Sequence, residues 1–173
     1  MAASLISIYD LKPGFQNLLR PICRKLADSG ITANQVTITA VLISIAHGIG
    51  LTLWPGQTVL LLLLPATLFI RMALNAIDGM LAREHGQKSQ LGAILNELSD
   101  VIADIALYLP FALIAALSAP LVIIVVLLAV IVEMTGILGL MVGAERRYDG
   151  PFGKSDRAFV FGTLAVAITT GLV

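Results

Sequence analysis

Between Asn75 and Asp104 the sequence reads NAIDGMLAREHGQKSQLGAILNELSDVIAD, with long apolar runs on both sides. Among its polar residues are the carboxylates Asp78, Glu97, Asp100 and Asp104 and the amides Asn75 and Asn96. Oxygen ligands in such numbers suit a hard divalent cation, and a carboxylate can also act as a general base. On a helix that turns about 100° per residue, Asn75 lies at about 40°, Asp78 at about −20° and Ala82 at about 20° from Arg71. By the same rule, Asp100, Asp104 and Glu97 lie at about 40°, 80° and 100° from Asn96. Each set therefore occupies one face. Only residues 84–88 separate the two helices, so they are expected to be antiparallel neighbours with facing polar stripes.

That polarity sits in a strongly apolar chain. Of 173 residues, 58% are hydrophobic and 13% charged, against about 45–50% and about 25% in ordinary soluble domains. Mean hydropathy is +0.95. The expected fold is all-α: a polytopic membrane helix bundle with an interfacial amphipathic helix at its N-terminal end. A carboxylate at the bilayer centre costs at least about 2.5 kcal/mol. A cluster of them therefore calls for a cation or for protonation. The net charge of zero gives no sign of a nucleic-acid partner. The single cysteine, Cys23, excludes an intramolecular disulfide and reads as an apolar residue of the interfacial helix. No cleavable signal peptide is visible.

Residues 14–28 place Phe15, Leu18, Leu19, Ile22 and Leu26 at helical spacing, with Arg20, Arg24 and Lys25 elsewhere. This suits a helix lying in the membrane interface, interrupted or kinked at Pro21. Thr32 to Gln35 has the form of a capping box opening the next helix. Five apolar spans are expected near 32–54, 57–83, 89–117, 120–145 and 155–173. Two domains follow, a cytoplasmic interfacial helix over 1–30 and a transmembrane domain over 31–173. Lys12, Arg20, Arg24, Lys25, Arg83, Lys88, Arg146, Arg147, Lys154 and Arg157 all fall on alternate connections. The positive-inside rule puts those connections, and the polar stripes near them, on the cytoplasmic side of a cell membrane. An odd number of spans ending at Val173 leads to the expectation of a sixth helix beyond the sequence given.

The stretch DGMLAREHGQKSQLG followed by AILNELSD resembles the signature of the CDP-alcohol phosphotransferases, Asp-x-x-Asp-Gly-x-x-Ala-Arg, eight residues, Gly-x-x-x-Asp-x-x-x-Asp. Asp78, Gly79, Ala82, Arg83, Gly92 and Asp100 match in identity and spacing. The first and third aspartates of the family fall at Asn75 and Asn96. The resemblance implies transfer of a phosphatidyl or substituted phosphoryl group from a CDP-linked lipid such as CDP-diacylglycerol to an alcohol, with release of CMP. It implies Mg²⁺ or Mn²⁺ on Asp78 and Asp100, with Asn75 and Asn96 as altered ligands, and Asp100 as general base. Gly79, Ala82 and Gly92 would let cytidine approach the backbone, and Arg83 would pair with phosphate. Asn34 and Thr37 resemble a family Pro-Asn-x-x-Thr element, with Ala33 in place of the proline. Family members have six spans and form homodimers.

The two asparagines leave three readings open. Asp104 and Glu97 compensate for the lost charge, or the site is tuned to another donor or acceptor, or metal catalysis is lost. Lys154 and Arg157 are candidates to bind an anionic acceptor or lipid phosphate, and equally are topogenic charges. Arg83 has the same topogenic alternative. Arg71 and Glu133 are candidates for a buried pair or for the site. Ser155 or Asp156 is expected to cap the last helix. His47 and His85 lack ligand spacing, and Gly136, Gly139 and Gly143 mark close helix packing. Rival functions are a lipid- or nucleotide-binding membrane protein on the same scaffold, and a transporter using carboxylates as a proton relay. A relay has no need of Gly-x-x-Ala-Arg.

Overall fold

The computed structural model describes residues 8–143 and 152–173. Over these the chain is helical: α1 (Ile8–Asp28), α2 (Ala33–Leu53), α3 (Thr58–Glu84), α4 (Gln90–Tyr108), a 3₁₀ turn (Leu109–Leu113), α5 (Ala119–Met141) and α6 (Lys154–Thr169). Arg146 and Arg147 lie outside the described residues.

Helix α1 is amphipathic, as its spacing predicts. Leu19 and Cys23 are buried, and Phe15 and Leu26 pack beside them against Ile77, Met80 and Leu81 of α3. Leu18 and Ile22 stay exposed, as a helix lying on a membrane surface requires. The helix runs through Pro21 without interruption, contrary to expectation. One missing N–H removes a single ladder bond, and the packed stripe holds the turn together. Burial, then the nearby Glu84 carboxylate, push the Cys23 thiol above its usual range. It is a packing residue rather than a nucleophile. Arg20 binds Glu84 through Nε at 3.2 Å and Nη2 at 2.9 Å, joining α1 to the end of α3.

The capping box at Thr32 forms as the sequence implies. Gln35 N–H donates to Thr32 Oγ1 at 3.3 Å, and Thr32 N–H donates to Gln35 Oε1 at 2.8 Å. Gln87, from the α3–α4 connection, accepts from Ala33 N–H at 2.6 Å and so satisfies another free amide at this helix start. Deeper in the bundle, Gly48 meets the backbone of Ala106, where a β-carbon would collide with the carbonyl. That carbonyl belongs to the residue four before Pro110, which has no N–H to give it. The missing bond also ends α4: the expected span 89–117 is a helix only to Tyr108, followed by the 3₁₀ turn.

Helices α2, α3 and α5 are long and apolar enough to cross a membrane. Helix α4 carries Glu97, Asp100 and Asp104, and α6 has 16 residues. Both contribute polar side chains to the interior of the bundle. α5 offers Leu121, Ile124, Leu127, Leu128 and Ile131 outward, as lipid contact demands. One apolar cluster joins Leu61, Leu64 and Leu68 of α3 to Tyr108, Phe111 and Phe161. Tyr108 stacks on Phe161 with ring centroids 4.2 Å apart, and this fixes α6 against α4. The result is a polytopic α-helical membrane bundle.

Candidate active site

The facing stripes of α3 and α4 meet, and α6 closes over them. Asp100 is buried and both its carboxylate oxygens are engaged. Oδ1 accepts from Asn75 Nδ2 at 2.8 Å and from Arg71 Nη2 at 3.1 Å. Oδ2 accepts from Lys154 Nζ at 2.5 Å. The orientation of the Asn75 amide follows from chemistry, since a carboxylate accepts only and so must face the NH₂.

One turn deeper, Asp104 takes Arg71 Nη1 at 2.5 Å on Oδ1 and Arg157 Nε at 2.9 Å on Oδ2. Arg157 continues to Glu133 Oε1 at 2.8 Å and to the Phe152 carbonyl at 3.0 Å. Lys154 lies 3.4 Å from Glu133 Oε2. Three carboxylates on α4 and α5 are thus interleaved with three cations on α3 and α6. Buried charges persist where partners and hydrogen bonds surround them on all sides, and this network meets that condition.

Three expectations change. Arg71 and Glu133 do not pair with each other; Arg71 takes its partners from α4, Asp100 and Asp104, and Glu133 takes its from α6, Lys154 and Arg157. Arg157, weighed as a topogenic charge, is 1% exposed inside the bundle. Its guanidinium is occupied by Asp104, Glu133 and the Phe152 carbonyl, whereas the Lys154 side chain remains about one quarter exposed. Asp104, considered as a compensating ligand, has both oxygens held by arginines. The sequence did carry a signal for this chain of ions: a lone Glu133 in an apolar helix demands a buried cation. At the start of α6 the cap is Gly153, whose N–H donates to Asp156 at 3.0 Å, rather than Ser155 or Asp156 itself.

Asp78 stands apart from the ion network. It is 5% exposed, and its Oδ2 accepts from Thr37 Oγ1 at 2.7 Å. Among the described residues no lysine or arginine pairs with it. Thr37 also donates to the Ala33 carbonyl at 3.0 Å, which fixes its rotamer. Asn34 lies beside Gly92, where a β-carbon would approach Asn34 Oδ1 to 2.8 Å and Ser89 Oγ to 2.9 Å. Ser89 caps α4 by accepting from Gly92 N–H at 2.9 Å. Arg83 is exposed and folds back over Gly79, where a β-carbon would meet the guanidinium at 3.0 Å. Ala82 packs into the apolar cluster beneath α1. Asn96 is half-buried one turn before Asp100, and its side chain makes no hydrogen bond among the described residues. His47 is held by Thr67 and the Leu60 carbonyl, in a structural role.

Asp78 is a buried carboxylate with no ion-pair partner among the described residues, and Asn75 precedes it by about one turn on α3. Among the described residues, no three acidic, histidine or cysteine side chains gather in a group able to hold a metal.

Facing polar stripes inside an apolar bundle define an integral membrane protein with an ionic site enclosed by helices. The chain matches the CDP-alcohol phosphatidyltransferase family over residues 30–172, and it belongs to that family. It is 52% identical over 165 residues to the inner membrane protein YnbA of Escherichia coli strain K12, covering 94% of this chain and 82% of the relative. The family transfers substituted phosphoryl groups from CDP-linked donors to alcohols and generally uses a divalent metal.

Proposed function

We propose that the chain moves a phosphatidyl or substituted phosphoryl group from a CDP-linked lipid such as CDP-diacylglycerol to an alcohol, releasing CMP, in phospholipid biosynthesis. The observation that carries this reading is the placement of Asp78 and Asp100. Both signature carboxylates are buried on facing helices, and the Gly79–Arg83 and Asn34–Gly92 contacts lie beside them.

The acceptor hydroxyl oxygen attacks the phosphorus that bears the lipid. A new P–O bond forms, the bond from that phosphorus to the bridging oxygen breaks, and CMP leaves with the electron pair. Asp100 takes the hydroxyl proton. Arg71 and Asn75 hold its Oδ1, which aims Oδ2 outward. Lys154 turns from Oδ2 to the donor phosphate and frees that oxygen for the proton. Arg83 pairs with phosphate oxygens. Gly79 and Gly92 keep the backbone open to cytidine, with Asn34 and Thr37 beside it, and Ala82 supports this wall. Arg157 acts by holding Asp104 and Glu133 rather than by touching substrate. A divalent cation such as Mg²⁺ or Mn²⁺, when bound near Asp78, supplies positive charge to the diphosphate. The site lies on the cytoplasmic side, where the positive-inside rule puts its connections, and the working unit is a homodimer.

The test is CMP release from CDP-diacylglycerol by the purified protein with Mg²⁺ or Mn²⁺ and a pooled set of alcohols. Metal-dependent release that disappears in Asp100→Asn is expected, and splitting the pool then names the acceptor. The second reading is a lipid- or nucleotide-binding protein on this scaffold. It draws support from Asp100, whose oxygens are both already satisfied. Donor binding without CMP release in a folded sample would establish it.

A further inference from the structure

The connection from α3 to α4 turns at Gly86, whose φ of +68° suits glycine. Just past the turn, Gln87 is half-buried while the residues on either side of it are exposed. Its side-chain amide reaches the start of α2. Oε1 accepts from Ala33 N–H at 2.6 Å, and Nε2 donates to the Ile31 carbonyl at 3.4 Å. Each half of the amide meets the backbone group it can bond, which fixes its orientation. Beyond Gln87, Ser89 caps α4 by accepting from Gly92 N–H. Beyond Ala33, Asn34 lies against Gly92, its Oδ1 2.8 Å from where a β-carbon would stand. The Ala33 carbonyl takes the Thr37 hydroxyl, which also donates to Asp78. Gln87 therefore ties the segment carrying Asn34 and Thr37 to the one carrying Gly92.

We propose that Gln87 is a positioning residue for nucleotide binding: its bond to Ala33 N–H sets Asn34 against Gly92 and so fixes the wall that receives the cytidine end of the donor. The inference rests on the reading of Asn34 and Gly92 as that wall. Gln87 touches backbone rather than substrate. Local capping does not account for it, because the Thr32–Gln35 box already caps α2 from within its own segment. What Gln87 adds is the placement of α2 relative to the start of α4. Ala33 is 6% exposed, so without Gln87 its N–H loses its partner in a site with little access to water. The segment then shifts toward solvent and carries Asn34 with it. Proline at 33 has no such N–H to satisfy. It suits the first turn of a helix, and Thr32 before it is already extended at φ −92° and ψ 154°.

The experiment measures the Kd for radiolabelled CDP by equilibrium dialysis of the purified full chain in detergent with Mg²⁺, alongside thermal midpoints. Gln87→Ala is expected to raise the Kd by about three- to tenfold, the range of a single neutral hydrogen bond. Gln87→Glu keeps an acceptor for Ala33 N–H at a helix start and is expected to stay within about twofold of wild type. Ala33→Pro combined with Gln87→Ala removes the orphaned N–H and is expected to recover the wild-type Kd. A purely structural role for Gln87 would lower the midpoint of Gln87→Ala and leave its Kd unchanged. That result, a wild type that binds no CDP, equal loss in Gln87→Glu and Gln87→Ala, or a folded double variant that stays as weak as Gln87→Ala would each overturn the proposal. If the double variant does not fold, the two Gln87 variants still decide. CMP release from CDP-diacylglycerol by the same preparations reports separately: its absence, with the Kd pattern as expected, would overturn the transferase reading and keep the role of Gln87.

Discussion

At the residue scale, two positions separate chemistry from scaffolding. Asp100 is oriented by Arg71 and Asn75; asparagine there keeps the shape and one acceptor oxygen but takes an anion from the buried network, so the protein is expected to fold with a lowered thermal midpoint. Asp100→Asn should lower CMP release by about 10²–10⁴-fold, the ordinary contribution of a general base. The check is steady-state turnover alongside the thermal midpoint, and near wild-type turnover would remove Asp100 from the base role. Gly92 offers a complementary case. Alanine is favoured over glycine in a helix by about 1 kcal/mol, but its β-carbon would press on Asn34 Oδ1 and Ser89 Oγ at 2.8 and 2.9 Å. Gly92→Ala should therefore leave stability within about 1 kcal/mol of wild type while raising the KM for the CDP-linked donor. A raised midpoint with unchanged KM would mean that Asn34 does not line the nucleotide site.

At the element scale, the crossing of α2 and α4 depends on the missing side chain of Gly48. A β-carbon there has no room against the Ala106 carbonyl, and neither backbone can move without disturbing its helix. Gly48→Ala should destabilise the bundle by about 1–3 kcal/mol, read as a lower unfolding midpoint in detergent. Retention of the wild-type midpoint would mean that the helices cross with more clearance. Several boundaries could be read without a structure, because their signals are local: the box at Thr32 and Gln35, and the amphipathic stripe of α1. The end of α4 is the instructive miss. Pro110 was visible, but an apolar run through residue 117 looks the same whether it continues as helix or turns.

At the scale of the whole molecule, stability is expected to rest on the alternation of Asp100, Asp104 and Glu133 with Lys154, Arg71 and Arg157. Removing one member leaves a buried charge unpaired. Arg157→Met should cost about 3–5 kcal/mol, far more than an exposed charge such as Lys25. The unfolding midpoints of the two variants, measured side by side, test this; equal values would mean that water reaches the network.

Composition and spacing alone establish a helical membrane protein with oxygen-rich stripes on two neighbouring helices, and they bring Asp78 and Asp100 into the family signature. Such features are legible because helical periodicity and apolar length are local properties of the chain. The partners of each charge are another matter. Arg71 could have met Glu133 as well as Asp104 by any rule of spacing, and Lys154 and Arg157 looked like surface charges beside a membrane. Their assignment depends on how α6 rotates against α3 and α4, and that rotation is set by Phe161 on Tyr108 and by Gly162 near Leu68 and Pro65. These contacts join residues far apart in sequence, so packing, not local pattern, determines which cation neutralises which carboxylate.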